Sequence, residues 1–283
     1  MYNNIIEIRN LTKAYENFTL DNISFDLPKG SIMGFVGENG AGKTTTIKLL
    51  LNQQRKDYGN AKIFGLDTVK DETEIKKDVG VVFSENYFPE EFTPLIIGKV
   101  INKAFLNWDN NLYDKYLNVF DLPRKMKLKE YSKGMKTKVA VAAALAHKPK
   151  LLILDETTSN MDPIARNEIM DILLDFIQDE ERSVLFSTHI TSDLEKIADY
   201  ITYIRKGKII LSDSLDNLRD NYGVVKCGKG ISEKIEKNIV AGVRYNEFST
   251  DVLVKDKKSV KETSPDLIID RASIEDIMTY MKG

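Results

Sequence analysis

The chain has 283 residues, 42% of them apolar and 30% charged, with a net charge of −2. That length suits one large domain, or a large domain with a small appendage. The near-neutral charge argues against a general nucleic-acid binder. The single cysteine, Cys227, excludes an intrachain disulfide, and the longest clean apolar run, VAVAAALA at 139–146, is far below the roughly 20 residues of a membrane span.

In chain order, the amino terminus lacks the basic-then-apolar layout of a signal peptide, and IIEIRNLTKAY is strand-like. LPKG is a turn, and SIMGFVG is a buried strand running into a glycine-rich loop. A helix is predicted from about Thr44 to Leu51, then a short strand at AKIFG. Residues 84–145 carry helical patterns and aromatics. LLILDE (151–156) and SVLFSTH (183–189) are apolar enough to be buried parallel strands. The helix between them, about 163–178, starts at Pro163, where a proline is tolerated. From Ser214 the texture changes to short strands at GVVKCGKG, TDVLVKD and PDLIIDR. A last helix is capped by Ser273 and has an apolar face of Ile274, Ile277, Met278 and Met281.

GENGAGKTT at 37–45 fits G-x-x-x-x-G-K-[ST] between a strand and a helix. With no Cβ in the way, the glycines Gly37, Gly40 and Gly42 let successive backbone N–H groups, with those of Asn39, Ala41 and Thr45 among them, turn toward phosphate oxygens. Lys43 supplies a positive charge to the β- and γ-phosphates, Thr44 a hydroxyl to Mg²⁺, and the helix its amino-terminal amides. At the end of LLILDE, Asp155 is placed to help hold Mg²⁺. Glu156 is the candidate general base for an attacking water. ATP and Mg²⁺ are the expected ligands. The fold class is α/β, a P-loop nucleoside-triphosphatase sheet with a RecA-like core.

YSKGM ahead of LLILDE, SNMD after it, STH closing the next strand and Tyr15 before the glycine loop complete an ordered set. Together they resemble the nucleotide-binding subunit of an ATP-binding cassette (ABC) transporter over roughly residues 3–215. The resemblance implies that Tyr15 stacks on adenine and that Ser132 and Gly134 contact the γ-phosphate held by a second subunit. It implies that Asp162 communicates across that dimer and that His189 contacts the γ-phosphate. Ser132 can cap a helix whose positive end points at an anion, and Gly134 permits close approach. His147 matches no motif.

The chain departs from the family pattern where a glutamine usually follows VGVVF: here Ser84 and then Glu85 stand, either of which could reach Mg²⁺ through a water. Lys133 and Met135 replace a glycine and a glutamine, and Thr157 and Asn160 a proline and a small residue. None of these removes a phosphate ligand, Asp155 or Glu156, so hydrolysis is expected.

The resemblance implies a β subdomain and a helical subdomain (about 84–145) within a nucleotide-binding domain of 1–213, and the change of texture at Ser214 marks a small C-terminal α+β accessory domain of 214–283. The partners it implies are a second such subunit, identical or not, and a membrane-spanning permease, with no nucleic acid. The chain would sit at the cytoplasmic face of the membrane through that permease. Tyr87, Phe88, Phe92 and Phe105 are candidates for the permease-facing surface, or for local core. The style resembles bacterial ABC-2 exporters of peptides or amphipathic drugs. The alternatives are a DNA-repair or translation ATPase and a weakly hydrolysing sensor subunit. No sustained heptads separate Lys43 from Ser132, as a coiled-coil repair ATPase would need.

Overall fold

The computed structural model describes residues 3–85, 88–159, 161–228, 235–247 and 249–281. Strands β1 (Asn4–Ala14) and β2 (Thr19–Pro28) form an antiparallel hairpin. The chain then enters a central sheet as β3 (Ile32–Val36) and turns into helix α1 (Lys43–Leu50). It returns to the first sheet as β4 (Tyr58–Ile63) and β5 (Leu66–Asp67), giving the order β2-β1-β4-β5. The strand expected at AKIFG starts earlier, at Tyr58, and ends before Phe64 and Gly65, whose φ values of 56° and 76° turn the chain out.

After α2 (Glu72–Lys77) comes β6 (Val79–Phe83), and then the predicted helical stretch: α3 (Pro94–Asn102), α4 (Asn110–Val119) and α5 (Lys133–Ala146). Each of these three helices starts on a side chain that accepts backbone N–H groups, from Thr93, Asp109 and Ser132 respectively. β7 (Leu151–Asp155), α6 (Pro163–Phe176) and β8 (Ser183–Thr188) follow as predicted. Then come α7 (Thr191–Ile197) and a hairpin of β9 (Tyr200–Arg205) and β10 (Lys208–Ser214) that the sequence patterns did not reveal. Its turn requires glycine: Gly207 has φ +76°, and a Cβ there would lie 1.8 Å from the Thr19 carbonyl oxygen.

The central sheet runs β10-β9-β3-β8-β7-β6, parallel except for the β10 edge. Every residue of β3, β7 and β8 is buried, because both faces of the sheet are covered. Side chains alternate between two cores. Leu152, Leu154 and Phe186 pack with α5 and α6, while Leu151, Ile153 and Leu185 pack with α1 and the first sheet. Each fully buried aliphatic side chain of this kind contributes about 1.5–3 kcal/mol. The register levels the carboxyl ends of the strands: Phe83 pairs with Asp155, Asp155 with Ser187, and Val36 with Thr188.

Ser214 caps α8 (Leu215–Asn221), which leads to β11 (Gly223–Cys227), β12 (Val240–Tyr245), β13 (Thr250–Val254), α9 (Lys257–Thr263), β14 (Ile268–Arg271) and α10 (Ile274–Tyr280). The strands form an antiparallel sheet, β12-β13-β11-β14. One of its faces packs on itself through Val225, Cys227, Val252 and Val254. From the other face, Val224 and Leu253 join Ile274, Ile277 and Met278 in the core of the large domain. Ser273 caps α10 in a reciprocal capping box with Asp276.

Candidate nucleotide site

The level strand ends gather the candidate residues at one edge of the sheet, where open α/β folds bind ligands. β3 delivers the glycine loop. A Cβ on Gly37 would come within 2.3 Å of the Ile204 carbonyl oxygen, so the loop backbone packs directly on β9. The Gly207 N–H, in the turn after β9, donates to the Ala41 carbonyl at 2.9 Å and ties the loop to the same hairpin a second time. Gly40 has φ +78° and Gly42 φ +117°, and no atom lies within 4 Å of where a Gly40 Cβ would stand. Gly42 opens α1 with no side-chain cap. The first amides of α1 are thus left to an anion.

Lys43 is buried. Its Nζ donates to the carbonyls of Gly37 and Glu38 at 2.6 and 3.1 Å and lies 2.9 Å from Glu156 Oε1. Asp155 is only 2% exposed. Burial pushes its carboxyl above the usual range, against hydrogen bonds from the Thr44 and Ser187 hydroxyls, while Glu156 raises it further and Lys43 lowers it. Ser187 Oγ donates to Asp155 Oδ1 at 3.0 Å.

Glu156 follows with φ +53°, a left-handed conformation costing a bulky L-residue about 1–2 kcal/mol, and its N–H donates to the Ser187 carbonyl at 3.0 Å. The bend turns its carboxylate back over the loop. Oε1 faces Lys43. Oε2 accepts from the Ser159 hydroxyl and lies 2.8 Å from His189 Nδ1. Burial would raise this carboxyl, but Ser159, Lys43 and His189 together outweigh it and leave Glu156 below its ordinary value. A carboxylate held ionised, with the exposed His189 beside it, can orient a water and accept its proton.

Tyr15 lies in the turn between β1 and β2 and is 40% exposed. Its ring centroid is 6.2 Å from that of Phe18, and Phe18 Cζ is 3.1 Å from where a Gly42 Cβ would be. Phe18 and Ser159 are neighbours that sequence reasoning missed. Phe18 had no motif to signal it, but Ser159 lies in the SNMD segment and was legible there. Ser84 follows Phe83 at the same sheet edge, half-buried, and lines a cleft with Glu85 and Lys133. Thr45 sits in the first turn of α1 and Asn39 is exposed on the loop.

Ser132, Gly134 and Asp162 stand on the helical side instead. The exposed Ser132 accepts the Met135 N–H at 3.2 Å, and Gly134 lies beside Met161. Asp162 caps α6, accepting from Ile164 and Ala165 at 3.0 Å each. The Ala165 N–H is the main cause that lowers its carboxyl. Phe88, Phe92 and Phe105 are partly buried against the core, and Phe105 stacks on His147 with centroids 4.2 Å apart. Tyr87 and Asn160 lie outside the described residues.

A glycine loop between a buried parallel strand and a helix, with an acidic pair ending a neighbouring strand, defines a P-loop nucleoside triphosphatase. The profile of the ABC transporter family matches residues 20–159. The chain is 33% identical over 222 residues to the bacitracin transport ATP-binding protein BcrA of Bacillus licheniformis, covering 76% of this chain and 71% of that protein. It is also 33% identical over 215 residues to the lantibiotic transport ATP-binding protein SrtF of Streptococcus pyogenes, covering 75% and 92%. A solved ATP-binding subunit of an ABC transporter superposes with a TM-score of 0.67 at 24% identity, over 76% of this chain and 92% of that one. The chain therefore belongs to the ABC transporter family, as an ATP-binding subunit and ATPase of that family. Among the described residues, no helix is long and apolar enough to cross a membrane.

Proposed function

We propose that the chain powers a separate membrane-spanning exporter of peptides or amphipathic drugs, working from the cytoplasmic face of the membrane. The observation that carries this is the division of the site. Loop, Asp155, Glu156 and His189 converge at one sheet edge, while the anion-ready start of α5 at Ser132 stands on the helical subdomain. Two copies arranged head to tail would each complete the other's site, with Ser132 and Gly134 reaching the γ-phosphate on the opposite loop. The names of the bacitracin and lantibiotic transport relatives support the cargo class.

Within each site, Tyr15 would carry the adenine, and the loop from Gly37 to Thr45 the phosphates, with Lys43 neutralising them. Thr44 and Asp155 would hold Mg²⁺, with Ser84 reaching it through a water. The fit rests on Asp155: its buried carboxyl, pushed upward by burial, is one a divalent cation would stabilise in charged form. Among the described residues there is no cluster of three or more acidic, histidine or cysteine side chains, and Mg²⁺ ordinarily needs only one or two carboxylates beside phosphates and waters. Bound there, Mg²⁺ supplies charge neutralisation at the β- and γ-phosphates. Glu156 would orient and deprotonate the attacking water, with His189 and Ser159 fixing its carboxylate. Asp162 would couple the two sites, and residues 214–283 would act as an accessory domain.

The permease would seat a helical segment in the cleft of about 850 Å³ between β6 and the helical subdomain, lined by Phe88, Phe105 and Ala140. Opening and closing of the dimer on ATP would move that segment. The test is transport of a labelled bacitracin-like or lantibiotic peptide into inverted membrane vesicles containing the permease and this chain. ATP-dependent uptake that is lost with Glu156→Gln supports the function. ATP hydrolysis without uptake of any such peptide overturns the cargo class.

A further inference from the structure

We infer that α10 forms one wall of a docking cleft on the nucleotide face, and that this cleft receives Ile164 from a second copy of the chain. The inference rests on the head-to-tail arrangement proposed above and extends it to the C-terminal module, which lies outside the matched family span of 20–159.

A cleft of about 520 Å³ opens between three separate pieces of chain: Glu38 and Asn39 of the glycine loop, His189 after β8, and Glu275, Met278 and Thr279 of α10. The α10 wall is fixed in place. The Ile274 N–H donates to Glu195 Oε1 at 2.9 Å, and Arg205 donates to the Met281 carbonyl at 3.1 Å. Ile277 and Met278 are buried in the core of the large domain. Behind the helix, β12 packs so closely that a Cβ on Gly242 would come within 2.2 Å of the Tyr280 carbonyl oxygen. The last helix is thus held between the C-terminal sheet and the catalytic sheet edge.

The occupant is indicated by what α6 leaves in water. Its residues Ala165, Ile169 and Leu173 are buried, whereas Ile164, in its first turn, is 73% exposed. An exposed branched side chain alone needs no explanation, but this one is placed beside the half-site. Gly134 lies next to Met161, so the start of α5 and the start of α6 share one edge of the molecule. A second copy that delivers Ser132 to the loop therefore brings its Ile164 over the same face. On the receiving copy, that face continues from Asn39 and His189 to Met278 and Thr279.

The test uses the full chain with Glu156→Gln to hold the ATP-bound pair. Cys227, the only cysteine, is changed to Ser, which keeps the donation to the Thr250 carbonyl. In this background Ile164→Cys and Thr279→Cys are combined and treated with a short bis-maleimide, and dimer is measured in parallel by size-exclusion chromatography. Dimer and cross-link that both form with ATP and not with ADP support the inference. Dimer without cross-link overturns it and leaves the head-to-tail arrangement standing, whereas no dimer with ATP overturns both. As a second measurement, Thr279→Arg changes an exposed position and should weaken ATP-driven dimerisation about tenfold while ATP binding by the monomer is unchanged. Unaltered dimerisation in that variant overturns the α10 contact.

Discussion

Lys43 Nζ and Glu156 Oε1 form an ion pair at 2.9 Å, with the two side chains only 4% and 16% exposed. The cation needed for phosphate and the carboxylate proposed as base thus hold one another. In the proposed mechanism an incoming γ-phosphate would compete with Glu156 for Lys43 and, in winning, would free the carboxylate to face water. Binding and activation of the base would then be one event.

The first prediction follows from this pair. Glu156→Gln should cut ATP turnover of the permease complex by about 10²–10⁴-fold, the usual size of a lost general base. It should also tighten ATP binding to the isolated subunit, because Lys43 no longer has a carboxylate to leave. Steady-state hydrolysis and calorimetric titration measure the two effects, and weaker ATP binding would contradict the competition.

Ser159 offers a pH test. Its hydroxyl helps hold the Glu156 carboxyl below its ordinary value, so Ser159→Ala should move that value upward. As the proposed base, Glu156 must be ionised, so activity should fail as pH falls through its value. The acid limb of the pH–rate profile should therefore shift to higher pH in the variant, with the plateau reduced less than in Glu156→Gln. An unmoved acid limb would separate Ser159 from the base.

Asp155 behaves in the opposite sense. Its folded value is raised by burial, so the ionised form costs stability that is recovered as pH falls through that value. Asp155→Asn should raise the melting temperature at pH 7, by about 2–4 °C for each kcal/mol relieved in a chain of this size, while abolishing Mg²⁺-dependent hydrolysis. Differential scanning calorimetry without nucleotide reads the first effect. A lowered melting temperature would mean that the hydrogen bonds from Thr44 and Ser187 outweigh the burial cost.

The divided site makes Ser132→Arg informative, because the residue is exposed and its helix start is not part of its own chain's loop. Hydrolysis by the complex should vanish while ATP binding by the isolated subunit stays within about twofold of the parent, well under 1 kcal/mol. Joint loss of both would place Ser132 in its own chain's site and overturn the pairing.

Much of this was legible because it is carried by short, locally constrained segments. LLILD and SVLFST read as parallel strands because burial on both faces leaves only apolar and small residues. GENGAGKTT fixes the loop because only glycine accepts the torsions at positions 40 and 42. The β9–β10 hairpin was not legible. YITYIRKGKIILSDS mixes a buried strand with an edge strand, and its identity depends on pairing with β3, distant in sequence. The ring of partners around Glu156 was likewise hidden in part. His189 and the segment holding Ser159 could be named, but their convergence on one carboxylate oxygen requires the left-handed bend at Glu156. The placement of α10 against the loop face is a matter of tertiary packing alone, which no local pattern in the last helix encodes.

The level alignment of Phe83, Asp155 and Ser187 across three strands has a consequence for how this protein can change. A deletion of one residue within β7 would present Glu156 where Asp155 stands and turn every later side chain of the strand to the opposite core. The catalytic edge is therefore open to drift by substitution and closed to drift in strand length. Insertions are confined to the far ends of the strands and to connections such as the helical stretch between β6 and β7. New cargo and new permeases would then be met by remodelling those connections around an edge of fixed length.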